Sequence, residues 1–339
     1  RASASVKTPS GDGPPMAKPV LKWAGGKRQL LDAIYARFPA DYDRYHEPFV
    51  GGGAVFFDLE PAAATINDAT PRLVNFYEQV RDRPEDVIAR CRAFRDPDAD
   101  PDPALAFGET DRGGDPVENY YYQQRARFNR RPYDEDWPAS ARDDLAEADG
   151  DAPADPFLEE AALLLYLNRT CYNGLYRENG DGGFNVPMGR YTDPDWVQAD
   201  RVRAASRVLD GAAVRNVDFA EALAEATEGD LVYCDPPYEP MSATADFAEY
   251  SAGGFDRADQ ERLLDRLREC DERGVRVVVS NSGVTFDRYD AAGFRQATRA
   301  INSDETSRDA VDEVIATNVP EHERGDGGDR GQASLADYE

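Results

Sequence analysis

The sequence predicts an α/β fold: a largely parallel sheet covered on both faces by helices and interrupted by a mainly helical insertion. Three observations carry this. Short β-patterned runs alternate with helical ones towards both ends of the chain, the signature of βαβ units. Strand signals vanish between about residues 82 and 200, while helical periodicity persists. The 339 residues also exceed a single domain of about 150.

The elements follow in order. Strands are expected at 44–49, 63–67, 214–218, 230–234, 276–280 and 313–317, and helices at 28–38, 72–81, 85–94, near 220–226 and at 256–273. A sheet domain then spans 18–81 and 201–319, and the insertion spans 82–200. Two acidic stretches punctuated by Pro and Gly, 96–118 and 134–155, read as solvated loops around an aromatic and basic helix at 119–129. Residues 1–17 and 320–339, poor in apolar residues, read as disordered tails.

Composition narrows the function. Acidic residues number 66 against 39 basic ones, a net charge of −27. The lysines are Lys7, Lys18, Lys22 and Lys27, and the other basic residues are arginines. Such a surface repels DNA in dilute buffer. At about 1 M salt the Debye length falls to roughly 3 Å and the repulsion fades. The pattern resembles proteins of a salt-loving cytoplasm, so a halophilic, cytoplasmic protein is expected. The apolar run 161–167 is far shorter than the roughly 20 residues that span a bilayer. Cys91, Cys171, Cys234 and Cys270 lack CxxC spacing and the histidines are His46 and His322, so neither membrane nor metal is expected.

Asp235-Pro236-Pro237-Tyr238 follows the apolar run 231–234 and therefore sits at the carboxyl end of a strand, where open α/β sheets bind ligands. Two prolines fix φ and remove two N–H donors. A carboxylate beside the remaining carbonyls forms an acceptor cage for an exocyclic amino group, and Tyr238 offers a stacking face. The plain alternative is a strand-ending turn.

The segment from Glu47 through Pro48, Phe49 and Val50 to Gly51-Gly52-Gly53 follows another strand and opens a helix. Its glycines admit a close backbone approach, and a helix start favours a negative group. It is not GxGxxG, which disfavours a dinucleotide site. Seventeen residues after Gly51, Asp68 stands where Rossmann-like sites hold ribose hydroxyls. Trp23-Ala24-Gly25-Gly26-Lys27 is not a Walker loop. Its Lys could hold a carboxylate, and its Trp could wall an apolar pocket.

In this order, and with Asn168 to Tyr191 between them, these segments resemble the Dam-type DNA adenine-N6 methyltransferases of the alpha (D12) class over about residues 18–318. The resemblance implies a Rossmann-like S-adenosylmethionine-dependent methyltransferase sheet, an inserted target-recognition domain and a monomer acting on double-stranded DNA. It places Trp23, Lys27 and the segment holding Glu47, Phe49 and Gly51 at the cofactor, with Asp68 at its ribose and Asp218 and Phe219 at its adenine. Asp235, Pro236 and Tyr238 match the catalytic tetrapeptide, with Asp235 also at the cofactor. Tyr172, Asn173, Leu175, Arg177 and Pro187 match the part that reads DNA, with GATC the expected sequence. Gly180 to Gly183 fit a hairpin turn inside that part, and the arginines from Arg125 to Arg131 fit either phosphate contacts or a solvated helix face.

Three rivals share parts of this chemistry. An N4-cytosine methyltransferase would use the same cage, but Ser is expected at its first position. A protein-glutamine methyltransferase would carry Asn there and have no use for the block from Asn168 to Tyr191. A catalytically silent DNA-binding relative would not need Trp23, Lys27, Asp68 and Asp235 intact.

Overall fold

The computed structural model describes residues 4–5, 16–25, 27, 29–105, 118–129, 155–180, 182–238, 255–304 and 307–325. Most of the two acidic stretches (106–117 and 130–154) and the outer parts of both tails lie outside the described residues. The elements are β1 (Ala4–Ser5), α1 (Leu31–Tyr35), β2 (Asp41–Tyr42), β3 (Tyr45–Glu47), α2 (Ala54–Leu59), β4 (Ala64–Asn67), α3 (Pro71–Asp82), α4 (Pro84–Arg92), α5 (Tyr120–Asn129), α6 (Pro156–Thr170), α7 (Ala199–Leu209), β5 (Ala212–Arg215), α8 (Phe219–Ala224), β6 (Leu231–Cys234), α9 (Arg257–Glu272), β7 (Arg276–Ser282), α10 (Phe286–Ala291), β8 (Arg295–Asp304) and β9 (Ser307–Thr317).

Seven strands form one sheet in the order β5-β4-β3-β6-β7-β9-β8. The first five run parallel. β9 is antiparallel to β7, and β8 to β9. The chain starts at β3, moves outward through β4 to β5, and returns to the other side of β3 for β6. Strand order therefore reverses between β3 and β6, the switch point at which open α/β sheets hold ligands in a crevice outside the strands' carboxyl ends.

β4 and β6 are buried along their whole length, as strands covered on both faces must be. The two-residue alternation of side chains divides the core. Leu231, Tyr233, Val278 and Ile315 join an apolar cluster with Phe56, Phe76, Leu163 and Val202. Val232, Cys234, Val277, Val279, Val314 and Ala316 face a second cluster with Leu263, Leu267 and Phe294. α6 begins at Asp155, whose side chain caps it by accepting from Leu158 N. Its buried Glu159 is held by Arg90 and by Arg127 at 2.8 Å.

Among the elements that differ from the sequence reading, which named neither α7 nor α10 nor the short β1 and β2, two strands of the large sheet stand out. β5 ends three residues earlier than expected, because Asn216 and Asp218 are taken by side-chain duties. Asn216 Nδ2 donates to Asp68 O at 2.8 Å, and Asp218 caps α8 by accepting from Ala220 N at 2.8 Å. β8 was not expected at all, since its polar and charged residues hide the alternation. Residues 320–325 are held against the sheet end: Ala40 N donates to Glu323 O at 2.8 Å and Gly325 N to Phe38 O at 3.1 Å. Among the described residues, no helix is long and apolar enough to cross a membrane.

Candidate active site at the carboxyl ends of β3, β4 and β6

The glycine turn after β3 is tied to its neighbours. Gly51 and Gly53 take φ of +47° and +71°, the left-handed region that favours glycine. Gly51 N donates to Asp68 Oδ2 at 3.0 Å, and Thr70 N donates to Asp68 Oδ1 at 2.9 Å. Tyr77 Oη donates to Gly51 O at 2.5 Å. Asn67 Nδ2 donates to Pro48 O at 3.0 Å and to Val217 O at 3.1 Å, so one amide ties the turns after β3 and β5. The glycines also admit Trp23: a Cβ on Gly52 would stand 2.7 Å from Trp23 Cβ, and one on Gly51 3.0 Å from Trp23 Cδ1.

Asp235 follows β6 and is joined by a lysine to the segment that carries Trp23. Lys27, 5% exposed, places Nζ 3.0 Å from Asp235 Oδ1. The same ammonium donates to Gly25 O at 3.0 Å and lies 4.6 Å from the Tyr238 ring centroid. Ser280 Oγ on β7 donates to Asp235 Oδ1 at 2.9 Å and lies 2.8 Å from Tyr233 Oη. Gln260 on α9 donates to Pro237 O at 2.9 Å, while Pro236 is buried. Burial raises the Asp235 carboxyl above its ordinary range, and the Lys27 ammonium and the hydrogen bond from Ser280 pull it back.

Two further carboxyls crowd this centre. Glu47, 3% exposed, is pushed well up by burial although Tyr45 Oη donates to its Oε2 at 2.7 Å. Glu313 on β9, 6% exposed, is raised by burial and drawn down by Lys27. It faces the Tyr238 hydroxyl, yet these two buried groups do not close a well-formed hydrogen bond. Sequence reasoning found Glu47 but missed Ser280 and Glu313. Both lie in ordinary strand patterns, and only the sheet order brings β7 beside β6 and β9 beside β7.

An aromatic cluster includes Phe49, from the same turn. Phe49 and Phe219 lie 5.4 Å apart at 32°, and Phe255 lies 5.6 Å from each. Asp218 accepts both Arg262 guanidinium nitrogens, at 2.9 and 3.0 Å, while Arg262 lies 4.2 Å from the Phe219 ring centroid. The sequence pointed to Asp218 and Phe219 but not to Phe255 or Arg262, which arrive from beyond the tetrapeptide.

The expected reading segment is a short two-stranded ribbon. Tyr172 N donates to Pro187 O at 2.9 Å, Asn185 N to Arg177 O at 3.0 Å, and Asn179 N to Gly183 O at 2.8 Å around the glycine turn. Tyr172, Asn173, Arg177 and Pro187 are exposed and Leu175 is half-buried. Arg177 Nε donates to Asn185 Oδ1 at 2.6 Å. α5 holds the ribbon from behind: Tyr121 Oη donates to Val186 O at 2.8 Å, and Asn129 bonds both Phe184 N and Phe184 O at 2.8 Å. Arg125 donates to Val186 O at 3.3 Å and Arg127 binds Glu159, so these two arginines brace the protein itself. Arg130 and Arg131 lie outside the described residues. Among the described residues, no group of three or more His, Cys, Asp or Glu side chains could hold a metal ion.

The Asp235 tetrapeptide, the adjoining glycine turn and the partly exposed Tyr172–Pro187 ribbon thus share one end of the sheet. Comparison with known proteins agrees with this chemistry. The family model for D12 class N6 adenine-specific DNA methyltransferases matches residues 23–313. The chain is 35% identical over 307 residues to the type II methyltransferase M1.LlaDCHI of Lactococcus lactis subsp. cremoris, covering 89% of this chain and 95% of that protein. It is 32% identical over 304 residues to the DNA adenine methylase of Escherichia coli (strain K12), covering 88% and 95%. It is also 32% identical over 317 residues to the type II methyltransferase M.MjaIII of Methanocaldococcus jannaschii, covering 89% and 99%. The chain belongs to the D12 class of N6 adenine-specific DNA methyltransferases.

Proposed function

We propose that the protein methylates N6 of an adenine flipped out of duplex DNA, within GATC, with S-adenosylmethionine as donor. The 3.0 Å pair between Lys27 and Asp235 carries the reading, because it joins the glycine-turn side of the crevice to the acceptor motif in one site. The residues present fit the donor. The Gly51–Gly53 turn offers close backbone approach, Asp68 offers a carboxylate at the end of β4, and Phe49 and Phe219 offer apolar ring faces. Trp23, Lys27 and Glu47 complete that side of the crevice. When bound, the sulfonium supplies an electrophilic methyl group.

The rest of the mechanism belongs to the chain. Adenine N6 is a weak nucleophile because its lone pair is delocalised into the ring. Asp235 and the Pro236 carbonyl accept its two N–H bonds, favouring a pyramidal nitrogen whose lone pair points along the line of attack. The cage works only with Asp235 ionised, and Lys27 and Ser280 oppose the effect of its burial. In the free protein the Lys27 ammonium holds the Asp235 oxygen that the base amine would use, so base entry exchanges one N–H donor for another. Extruding the base costs a few kcal/mol. Stacking on Tyr238 offsets about 1–3 kcal/mol of it.

The ribbon supplies sequence reading. Arg177 presents a guanidinium suited to guanine O6 and N7, a contact of about 1–3 kcal/mol. Tyr172, Asn173 and Pro187 are exposed as well, and the half-buried Leu175 lies close by in the chain. The 82–200 segment acts as the target-recognition part, and the acidic surface suits a salt-rich cytoplasm. The test is labelled methyl transfer at molar KCl into a panel of duplexes, followed by nucleoside analysis and site mapping. N6-methyladenine confined to GATC is expected. Label on cytosine N4, or equal transfer to duplexes without GATC, would overturn the reading.

A further inference from the structure

Tyr176 lies between two residues assigned to base reading, Leu175 and Arg177, and its ring turns to the cofactor side of the site. Its ring stacks on Trp23 with centroids 5.1 Å apart and planes at 21°. Arg177 is exposed, whereas Tyr176 and Leu175 are half-buried and pack against the core. Trp23 is in turn seated on Gly51 and Gly52 at the distances given above. The indole is therefore sandwiched between the glycine turn and the reading ribbon.

The two segments are joined elsewhere as well. Asn168 accepts from Lys22 N at 2.8 Å and donates to Lys22 O at 2.7 Å and Gly174 O at 3.0 Å. A Cβ on Gly174 would stand 2.4 Å from Lys22 Cδ, so only glycine permits this approach. Arg169 donates to Val20 O. On its far side Tyr176 packs 5.7 Å from Phe184 and its hydroxyl donates to Glu178 Oε1, both within the ribbon.

We infer that Tyr176 is a positioning residue that couples cofactor binding to seating of the reading ribbon on DNA, acting through Trp23. The inference rests on the function proposed above and adds its regulation. A ligand that fixes Trp23 on the glycine turn presents a settled face to Tyr176 and steadies the ribbon. A duplex that seats the ribbon steadies Trp23 in return. Thermodynamic linkage requires each ligand to raise affinity for the other by the same factor.

The test measures that factor in the full chain at molar KCl, with sinefungin as a non-reacting cofactor surrogate and the cognate duplex. The ratio of sinefungin dissociation constants without and with duplex is expected to be about five-fold or more in the wild type. Tyr176→Leu should lower the ratio at least about 2-fold, towards one, as expected for the loss of one aromatic stack, and Tyr176→Phe should restore it. A ratio is insensitive to any direct change in cofactor affinity, which a merely structural role would produce. An unchanged ratio in Tyr176→Leu, or a wild-type ratio of one, overturns the coupling. Should Tyr176→Leu fail to melt cooperatively, amide exchange of wild-type residues 171–177 decides instead: added sinefungin should slow it, and no change overturns the inference. A wild-type protein that methylates no duplex sinks the proposed function, whereas a methylating enzyme with linkage indifferent to Tyr176 sinks only this coupling.

Discussion

Replacing Lys27 by Met keeps the length of the side chain and removes the ammonium. Lys27 is almost fully buried, and its partner Asp235 has a side chain 20% exposed at 3.0 Å. At that separation and an effective dielectric constant of about 20, the direct attraction is about 5 kcal/mol. Because Asp235 keeps some solvent, and the lysine's own desolvation is relieved, the net cost should be smaller, about 2–4 kcal/mol of stability. The pH dependence is more diagnostic. Burial already raises the Asp235 carboxyl, and Lys27 is the chief opposing influence. An adjacent cation lowers a carboxylate by about 1–3 pH units, so its removal should raise Asp235 by a comparable amount. Only ionised Asp235 accepts from the target amine, and turnover is lost as pH falls through its folded-state value. The acid limb of kcat in Lys27→Met should therefore move to higher pH. The assay is single-turnover methylation at saturating cofactor across pH, which separates this effect from weaker cofactor binding. A limb that stays in place or moves to lower pH would refute the reasoning.

Other outcomes follow from the same geometry. Ser280→Ala removes a donor to Asp235 and should lower single-turnover rate about ten-fold, the worth of one hydrogen bond to a charged group, with DNA affinity unchanged; a rate within two-fold of wild type would contradict it. Gly52→Ala drives a methyl group against Trp23 and should weaken sinefungin binding by roughly ten-fold in calorimetry, the effect of about 1–2 kcal/mol of overpacking. Glu47, raised well above its usual range, binds its proton more tightly folded than unfolded, so that stability is present at low pH and lost as pH rises through the folded value. Glu47→Gln should consequently raise the melting temperature at pH 8 more than at pH 5, and equal gains would argue against a buried, neutralised carboxyl. Arg177→Ala should relax discrimination at one guanine position by about 10- to 100-fold; uniform weakening on all duplexes would identify a phosphate contact instead.

Much of this architecture was legible because it rests on local pattern. The apolar runs at 231–234 and 276–280 are β6 and the body of β7, and the Pro-Pro step marks where a strand must end. β8 escaped because Arg295, Arg299 and Asp304 dilute its alternation in a strand paired only along one edge. The glycine turn was legible as a close approach, although the group approaching it here is Trp23. Ser280, Glu313 and Arg262 were illegible for a different reason. Nothing in their immediate neighbours distinguishes a strand serine or a helix arginine until sheet order and helix packing bring it beside Asp235 or Asp218. Arg125 and Arg127 show the converse: a basic, aromatic helix resembles a nucleic-acid surface, yet both side chains turn inward to Val186 O and Glu159.

Single-turnover methylation by Asp235→Ala, at matched sinefungin affinity and duplex affinity, bears most directly on the acceptor cage. Transfer to adenine N6 should fall by at least about 100-fold while both ligands still bind, as expected when a contact made to the reacting amine is lost. Methylation at a near wild-type rate with both affinities intact would show that the target amine is held elsewhere.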